Sequence, residues 1–368
     1  MLYDPQLHEP LTDRRWDEAW VRGRISALVV DADAAYDERT FWPADEWDAW
    51  EAPLPLTDLY CGAAGVLWAL HELGSSLDLR AAGARALEQF REAPDLLMSI
   101  PLPAERRSSL FAGETGVAFV AWKLGVDDVP EDVLLSLVRA NIGNETNELM
   151  WGVPGTLLVA RALHAATGEE RWADAVRESE DDLRRSRDDD GLWTQQLFGS
   201  VTRYLGPAHG FVGAVVALGE DGADVLRNTA IRDGNHVNWP PLPDEEPTRL
   251  QWCHGAPGIV IHAASYLDED LLLGGAQLIW DAGPLESQEK GAGICHGTAG
   301  NGYGLLATFA RTGDELWLER ARAFAVHALE QAERLPPRYS LFTGGVGAAL
   351  FAADCLDAQP RFPIVDRL

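Results

Sequence analysis

Two cysteine-histidine pairs recur in nearly the same setting, WCHGAPG from Trp252 and ICHGTAG from Ile294. Thiolate and imidazole together are a ligand set that zinc prefers. Cys253, His254, Cys295 and His296 could close a four-ligand structural site. Equally, three of them could bind one ion and leave the fourth position to water or a substrate, which is the pattern of catalytic zinc. Spacing leaves both arrangements open. The four cysteines, Cys61, Cys253, Cys295 and Cys355, are too few and too scattered for a disulfide framework in a chain of 368 residues. Reduced thiols, available for metal or chemistry, are expected.

The elements that must position these pairs show themselves as a repeat. A Gly-x-x-Gly followed by an apolar helical stretch occurs seven times, with first glycines at Gly62, Gly113, Gly152, Gly210, Gly255, Gly297 and Gly344. Each stretch is apolar on nearly every face, as in a helix buried between neighbours. The segments between them, such as LRAAGARALEQFREA from Leu79 and ERWADAVRESEDDLRR from Glu170, have one wet face. Seven helical hairpins without obvious capping repeats imply an all-α protein, a double-layered α/α toroid of seven inner and seven outer helices. The whole chain, 1–368, is expected to be one such domain, with 1–50 as an N-terminal segment and the first outer helix. Each glycine would allow a sharp turn into an inner helix, by positive φ or by close backbone approach. All seven helix starts would crowd one end of the barrel, where unpaired N–H groups favour anions and thiolates.

The two residues before each first glycine should line that opening. They include Cys61, Trp151, His209, Cys253, His254, Cys295 and His296, so three of the nine histidines and three of the four cysteines fall there. Packing alone does not produce that enrichment. Acidic residues number 58 against 30 basic ones, a net charge of −28 that repels phosphate backbones and anionic lipid. Nucleic acid is excluded as a partner, no apolar run is long enough for a membrane span, and the N-terminus does not read as a secretion signal. A cytoplasmic location is expected.

The wording YLGPAHGFVG from Tyr204, WCHGAPGIV from Trp252, KGAGICHGTAGNGYG from Lys290 and YSLFTGGVG from Tyr339 resembles the lanthionine synthetase C-like family along nearly all of the chain. The resemblance implies a toroid holding one zinc ion on Cys253, Cys295 and His296, with His254 a neighbour that is not a ligand. It also implies thioether formation: a thiolate adds to the β-carbon of dehydroalanine or dehydrobutyrine, and an acid protonates the α-carbon. His209 matches the family's catalytic histidine, and Glu148 is placed to orient it or relay a proton. Lys290, Arg338 and His254 are expected to bind substrate, Lys290 as the family's glutathione-using members carry it. The expected partners are a small thiol such as glutathione and a peptide or protein containing dehydroamino acids. A cyclase closing rings in a dehydrated precursor peptide, or a zinc-containing toroid that binds peptides without catalysis, are the other readings. Asn301 and Tyr303 are expected to pack or cap, Cys355 to lie in the core, and Cys61 to line the opening.

Overall fold

The computed structural model of the protein describes residues 1–49, 54–95, 107–127, 129–286 and 291–368. Helix α1 (Glu18–Ala35) is followed by six helical pairs and a last helix. The pairs are α2 (Ala63–Leu73) with α3 (Leu79–Glu92), α4 (Glu114–Lys123) with α5 (Glu131–Ala140), and α6 (Val153–Thr167) with α7 (Glu170–Arg185). They continue with α8 (Phe211–Leu218) and α9 (Ala223–Thr229), α10 (Ala256–Ala263) and α11 (Glu269–Ala282), and α12 (Thr298–Thr312) and α13 (Glu315–Arg334), before α14 (Gly345–Asp357). Two short antiparallel hairpins interrupt them, β1 (Gln195–Leu197) with β2 (Ser200–Thr202), and β3 (Ile231–Asp233) with β4 (His236–Asn238).

All seven first glycines stand at the N-caps of the even-numbered helices, as the repeat predicts. The two kinds of helix differ as their sequences do. In α12 every residue from Thr298 to Thr308 is buried, whereas α7 buries only Trp172, Ala175, Ser179 and Leu183, one stripe at three- and four-residue spacing.

The described residues group into two compact units. One holds Met1–Asp31, Tyr204–Ala208 and Glu220–Arg367; the other holds Ala32–Arg203 and His209–Gly219, with Leu368. In the first, α10 packs on α12 and α12 on α14, while α11 and α13 each lie against two of these helices. There the chain's beginning runs beside α13, where Thr12 Oγ1 donates to Glu330 at 2.6 Å and Arg24 pairs with Glu333 at 3.1 Å. In the second, α2 packs on α4 and α6 on α8, with α3, α5 and α7 as partners. No helix among the described residues is long and apolar enough to cross a membrane.

The helix starts differ from expectation in one respect. At α12 the N–H groups of Thr298, Ala299 and Gly300 donate to the carbonyls of Gly291, Ala292 and Gly293 at 3.1, 3.2 and 3.3 Å. The approaching loop runs alongside the first turn and takes donors that would otherwise be orphans, so these groups are not open to an anion. That closeness is what the second glycine serves: a Cβ on Gly300 would stand 1.8 Å from the Ile294 carbonyl oxygen. Of the seven first glycines, Gly255 alone uses the left-handed option, at φ +100°.

Gly300→Ala is therefore expected to destabilise the protein by about 3 kcal/mol through forced backbone displacement. Gly23→Ala, on the exposed face of α1 where a Cβ meets nothing within 4 Å, should gain up to ~1 kcal/mol of helix propensity. Urea unfolding midpoints of the two variants check both signs.

Candidate functional site

Within each unit, three successive helix starts are tied together by backbone hydrogen bonds at one repeat position, two residues before the first glycine. Cys253 N–H donates to the Cys295 carbonyl at 3.3 Å, and Cys295 N–H donates to the Phe342 carbonyl at 2.7 Å. In the other unit the same position links Tyr60 N–H to Phe111 O at 3.1 Å and Phe111 N–H to Met150 O at 3.3 Å. Two cysteines placed at this position in consecutive repeats must therefore be neighbours.

The consequence is a compact ligand group. One donor atom each from Cys253, Cys295 and His296 lies within 4.8 Å of the others, with both cysteines buried and His296 half-buried. A tetrahedral zinc ion with Zn–S of about 2.3 Å and Zn–N of about 2.0 Å separates its ligand atoms by roughly 3.5–3.8 Å, so small side-chain adjustments bring all three to one ion. The donor chemistry, two thiols and an imidazole, suits zinc. The Cys253 thiol is held well below the ordinary thiol range, chiefly by its hydrogen bond with Cys295 and by the His254 and His296 charges, against the opposing effect of burial. Gln251 Nε2 also donates to Cys253 Sγ at 2.8 Å. Behind Cys253, Trp252 stacks on Phe362 at 5.0 Å and 22°, and its indole N–H donates to His262 Nε2 at 2.9 Å.

No fourth His, Cys, Asp or Glu joins this group among the described residues. His254 is buried outside it, its ring against Tyr204 at 5.3 Å. The two Cys-His pairs diverge because their turns do. Gln251 and His254 exchange backbone hydrogen bonds at 3.0 and 3.2 Å around a turn that leads into Gly255 at φ +100°, whereas Gly297 is extended at φ −124°. A closed site of both pairs is not what the fold forms.

In the other unit, His209 precedes Gly210 and its Nδ1 lies 3.2 Å from Glu148 Oε2. Glu148 is fully buried, and its two oxygens also accept the N–H groups of Met150 at 2.9 Å and Trp151 at 2.6 Å. A carboxylate satisfied in this way is a fixed acceptor, so Nδ1–H of the histidine points at it and Nε2 becomes the nitrogen available for proton exchange. Trp151 lies nearly parallel to the imidazole at 5.5 Å and 21°, Phe198 meets it edge-on at 5.5 Å and 72°, and Gln195 Nε2 donates to the His209 carbonyl.

The remaining expected residues are placed as follows. Arg338 is half-buried where the chain approaches α14, its carbonyl accepting Gly345 N–H at 2.7 Å. Lys290 lies outside the described residues. Asn301 Nδ2 donates to the Leu250 carbonyl at 2.9 Å and Tyr303 OH to Asp354 at 2.7 Å, so both pack. Cys355 is buried and Cys61 half-buried. Sequence reasoning named Trp151 only as a lining residue and missed Gln251 and Phe198. A signal existed for the first: four residues before the first glycine stand Asp58, Ser109, Glu148, Gln251 and Ser340 in five of the repeats, and Asp58 accepts the N–H groups of Tyr60 and Cys61 just as Glu148 accepts those of its own turn.

Among solved structures, nisin cyclase matches with a TM-score of 0.61 at 17% identity, over 93% of this chain and 97% of its own. That likeness shows the fold, the α/α toroid. The sequence model of the family described as lanthionine synthetase C-like protein matches residues 56–366, and the chain belongs to that family. Glutathione S-transferase LANCL1 of Danio rerio is 33% identical over 189 residues, which is 44% of this chain and 45% of the relative. LanC-like protein GCL1 of Arabidopsis thaliana is 28% identical over 194 residues, 44% of this chain and 43% of its own length. The matched stretches span less than half of either relative.

The metal-free protein should bind one zinc ion per chain in competition with a chromogenic chelator, and Cys295→Ala should bind none. Gln251→Ala is expected to weaken zinc about 10- to 100-fold, the usual effect of removing a hydrogen bond to a ligand. Because the Cys253 thiol is depressed, it ionises without losing a proton to the metal at neutral pH. Affinity should still fall as pH drops, because the Cys295 thiol that hydrogen-bonds Cys253 must release its own proton to become a ligand.

Proposed function

We propose that the protein is a zinc-dependent enzyme of the lanthionine synthetase type that joins a small thiol, glutathione or a similar one, to dehydroalanine or dehydrobutyrine residues of peptides or proteins. The observation that carries the reading is the group of three donors, Cys253, Cys295 and His296, with no fourth protein donor among the described residues. Zinc held there would supply a lowered pKa to a substrate thiol, which free in water, at about 8.5, is only a few per cent ionised at pH 7.

The chain's own residues carry the rest. The thiolate sulfur bonds to Cβ of the acceptor and the Cα=Cβ electron pair moves towards the acceptor carbonyl. His209 Nε2–H then delivers a proton to Cα, and the proton lost by the thiol restores the imidazolium, so the balance closes. Glu148 is a positioning residue, because its carboxylate fixes the ring through Nδ1. Trp151 and Phe198 shield the ring from water. Arg338 and Lys290 are assigned to the thiol's carboxylates, Lys290 on its sequence position alone, and His254 to the wall beside Cys253. The name of the Danio rerio relative, a glutathione S-transferase, supports the choice of thiol, and the cytoplasm is the proposed location.

Incubating the zinc-loaded protein with a dehydroalanine peptide and glutathione should add the mass of one glutathione. His209→Asn should keep its zinc and lose about 10²–10⁴-fold in kcat; full activity in that variant would remove His209 from the role. Ring closure in a dehydrated peptide carrying its own cysteine, without a glutathione adduct, would instead mark a peptide cyclase. Neither product would leave a binding toroid.

A further inference from the structure

The β1–β2 hairpin turns on two residues, Phe198 and Gly199, between the paired Leu197 and Ser200, and both have positive φ, 53° and 74°. A two-residue loop with positive φ at both places is a type I′ turn, whose first place ordinarily goes to Asn, Asp or Gly. A phenylalanine there carries backbone strain. It is also 47% exposed, and Val201 beside it is 66% exposed. Neither choice favours folding. Strain of this kind persists where the surroundings hold it, and it collects at functional sites.

The surroundings do hold it. Gln196 N–H donates to the Glu145 carbonyl at 2.9 Å, and Gln195 Nε2 donates to the His209 carbonyl, so the hairpin is braced on both sides of the His209–Glu148 pair. The tip is thereby aimed: the Phe198 ring meets His209 edge-on and meets Trp151 at 5.5 Å and 87°, while the rest of it faces outward. The group that His209 must reach is the acceptor's α-carbon, so a side chain in ring contact with His209 and open beyond it meets the acceptor rather than the thiol.

We propose that Phe198 is a specificity-determining residue, an apolar wall that receives the flat Cα=Cβ unit of a peptide-borne dehydroamino acid beside His209. The proposal rests on the thioether-forming reading. A planar, uncharged alkene fits an aromatic face, and Glu148, the carboxylate paired with the imidazole, is fully buried.

The test is Phe198→Asn, with Phe198→Tyr as the conservative control. Asparagine suits the left-handed turn, so the hairpin survives and strain is relieved. Binding of a fluorescent dehydroalanine peptide is read by anisotropy, which needs no turnover, alongside KM for acceptor and thiol, zinc content and Tm. The expected result for Phe198→Asn is at least a tenfold rise in acceptor Kd and KM, with thiol KM and zinc unchanged and Tm equal or higher; Phe198→Tyr stays at wild type. An unchanged acceptor Kd overturns the proposal, as does a loss of binding accompanied by a fall in Tm or zinc, which marks a structural role. A wild-type protein that binds the peptide through Phe198 yet makes no thioether sinks the proposed reaction and leaves the wall standing. Turnover that is indifferent to Phe198→Asn sinks the wall alone.

Discussion

The backbone hydrogen bond from Cys253 N–H to the Cys295 carbonyl is the constraint on which the candidate site depends. It is one of four bonds in which the residue two before a first glycine donates to its counterpart in the next repeat, the others running from Cys295 to Phe342, Tyr60 to Phe111 and Phe111 to Met150. Because peptide groups make these bonds, the register survives any choice of side chain. A cysteine in two successive repeats is then enough to bring two sulfurs together, and His296, one residue on, completes the group. The chain spends no special element on the site.

The same architecture gives one repeat position different uses. Immediately before the first glycine, His296 joins the two cysteines, His209 turns to Glu148, and His254 lies against Tyr204. What separates them is the local turn and what stands four residues before the glycine. Glu148 holds its own turn by two N–H groups and still reaches the imidazole, while Gln251 reaches the sulfur of Cys253. Buried groups satisfied in this way are rigid, which is what orientation of a proton donor or a metal ligand requires.

Much of this was legible in the sequence. The seven glycines announce the seven helix starts, six of them, Gly62, Gly113, Gly152, Gly255, Gly297 and Gly344, where close backbone approach leaves no room for a Cβ, and the burial of α12 or the stripe of α7 follows from local periodicity. His254 and His296 read alike, because the difference between Gly255 at φ +100° and extended Gly297 leaves no mark in the residue type. The N–H groups of Thr298, Ala299 and Gly300 were expected to be open, but the loop carbonyls that take them come from backbone that carries no sequence pattern. Gln251 was missed since Asp, Ser, Glu and Gln fill its repeat position in turn, and Phe198 because a short hairpin outside the repeats brings it to His209.

The central claim is that three protein donors from two successive helix starts leave room for one substrate thiol. X-ray absorption at the zinc edge of the loaded protein, with and without glutathione, tests it most directly. The account predicts two sulfur neighbours and one imidazole in the resting protein, with the sulfur count rising to three when glutathione is added. Two sulfurs and two imidazoles, unchanged by the thiol, would contradict it and return His254 to the ligand set.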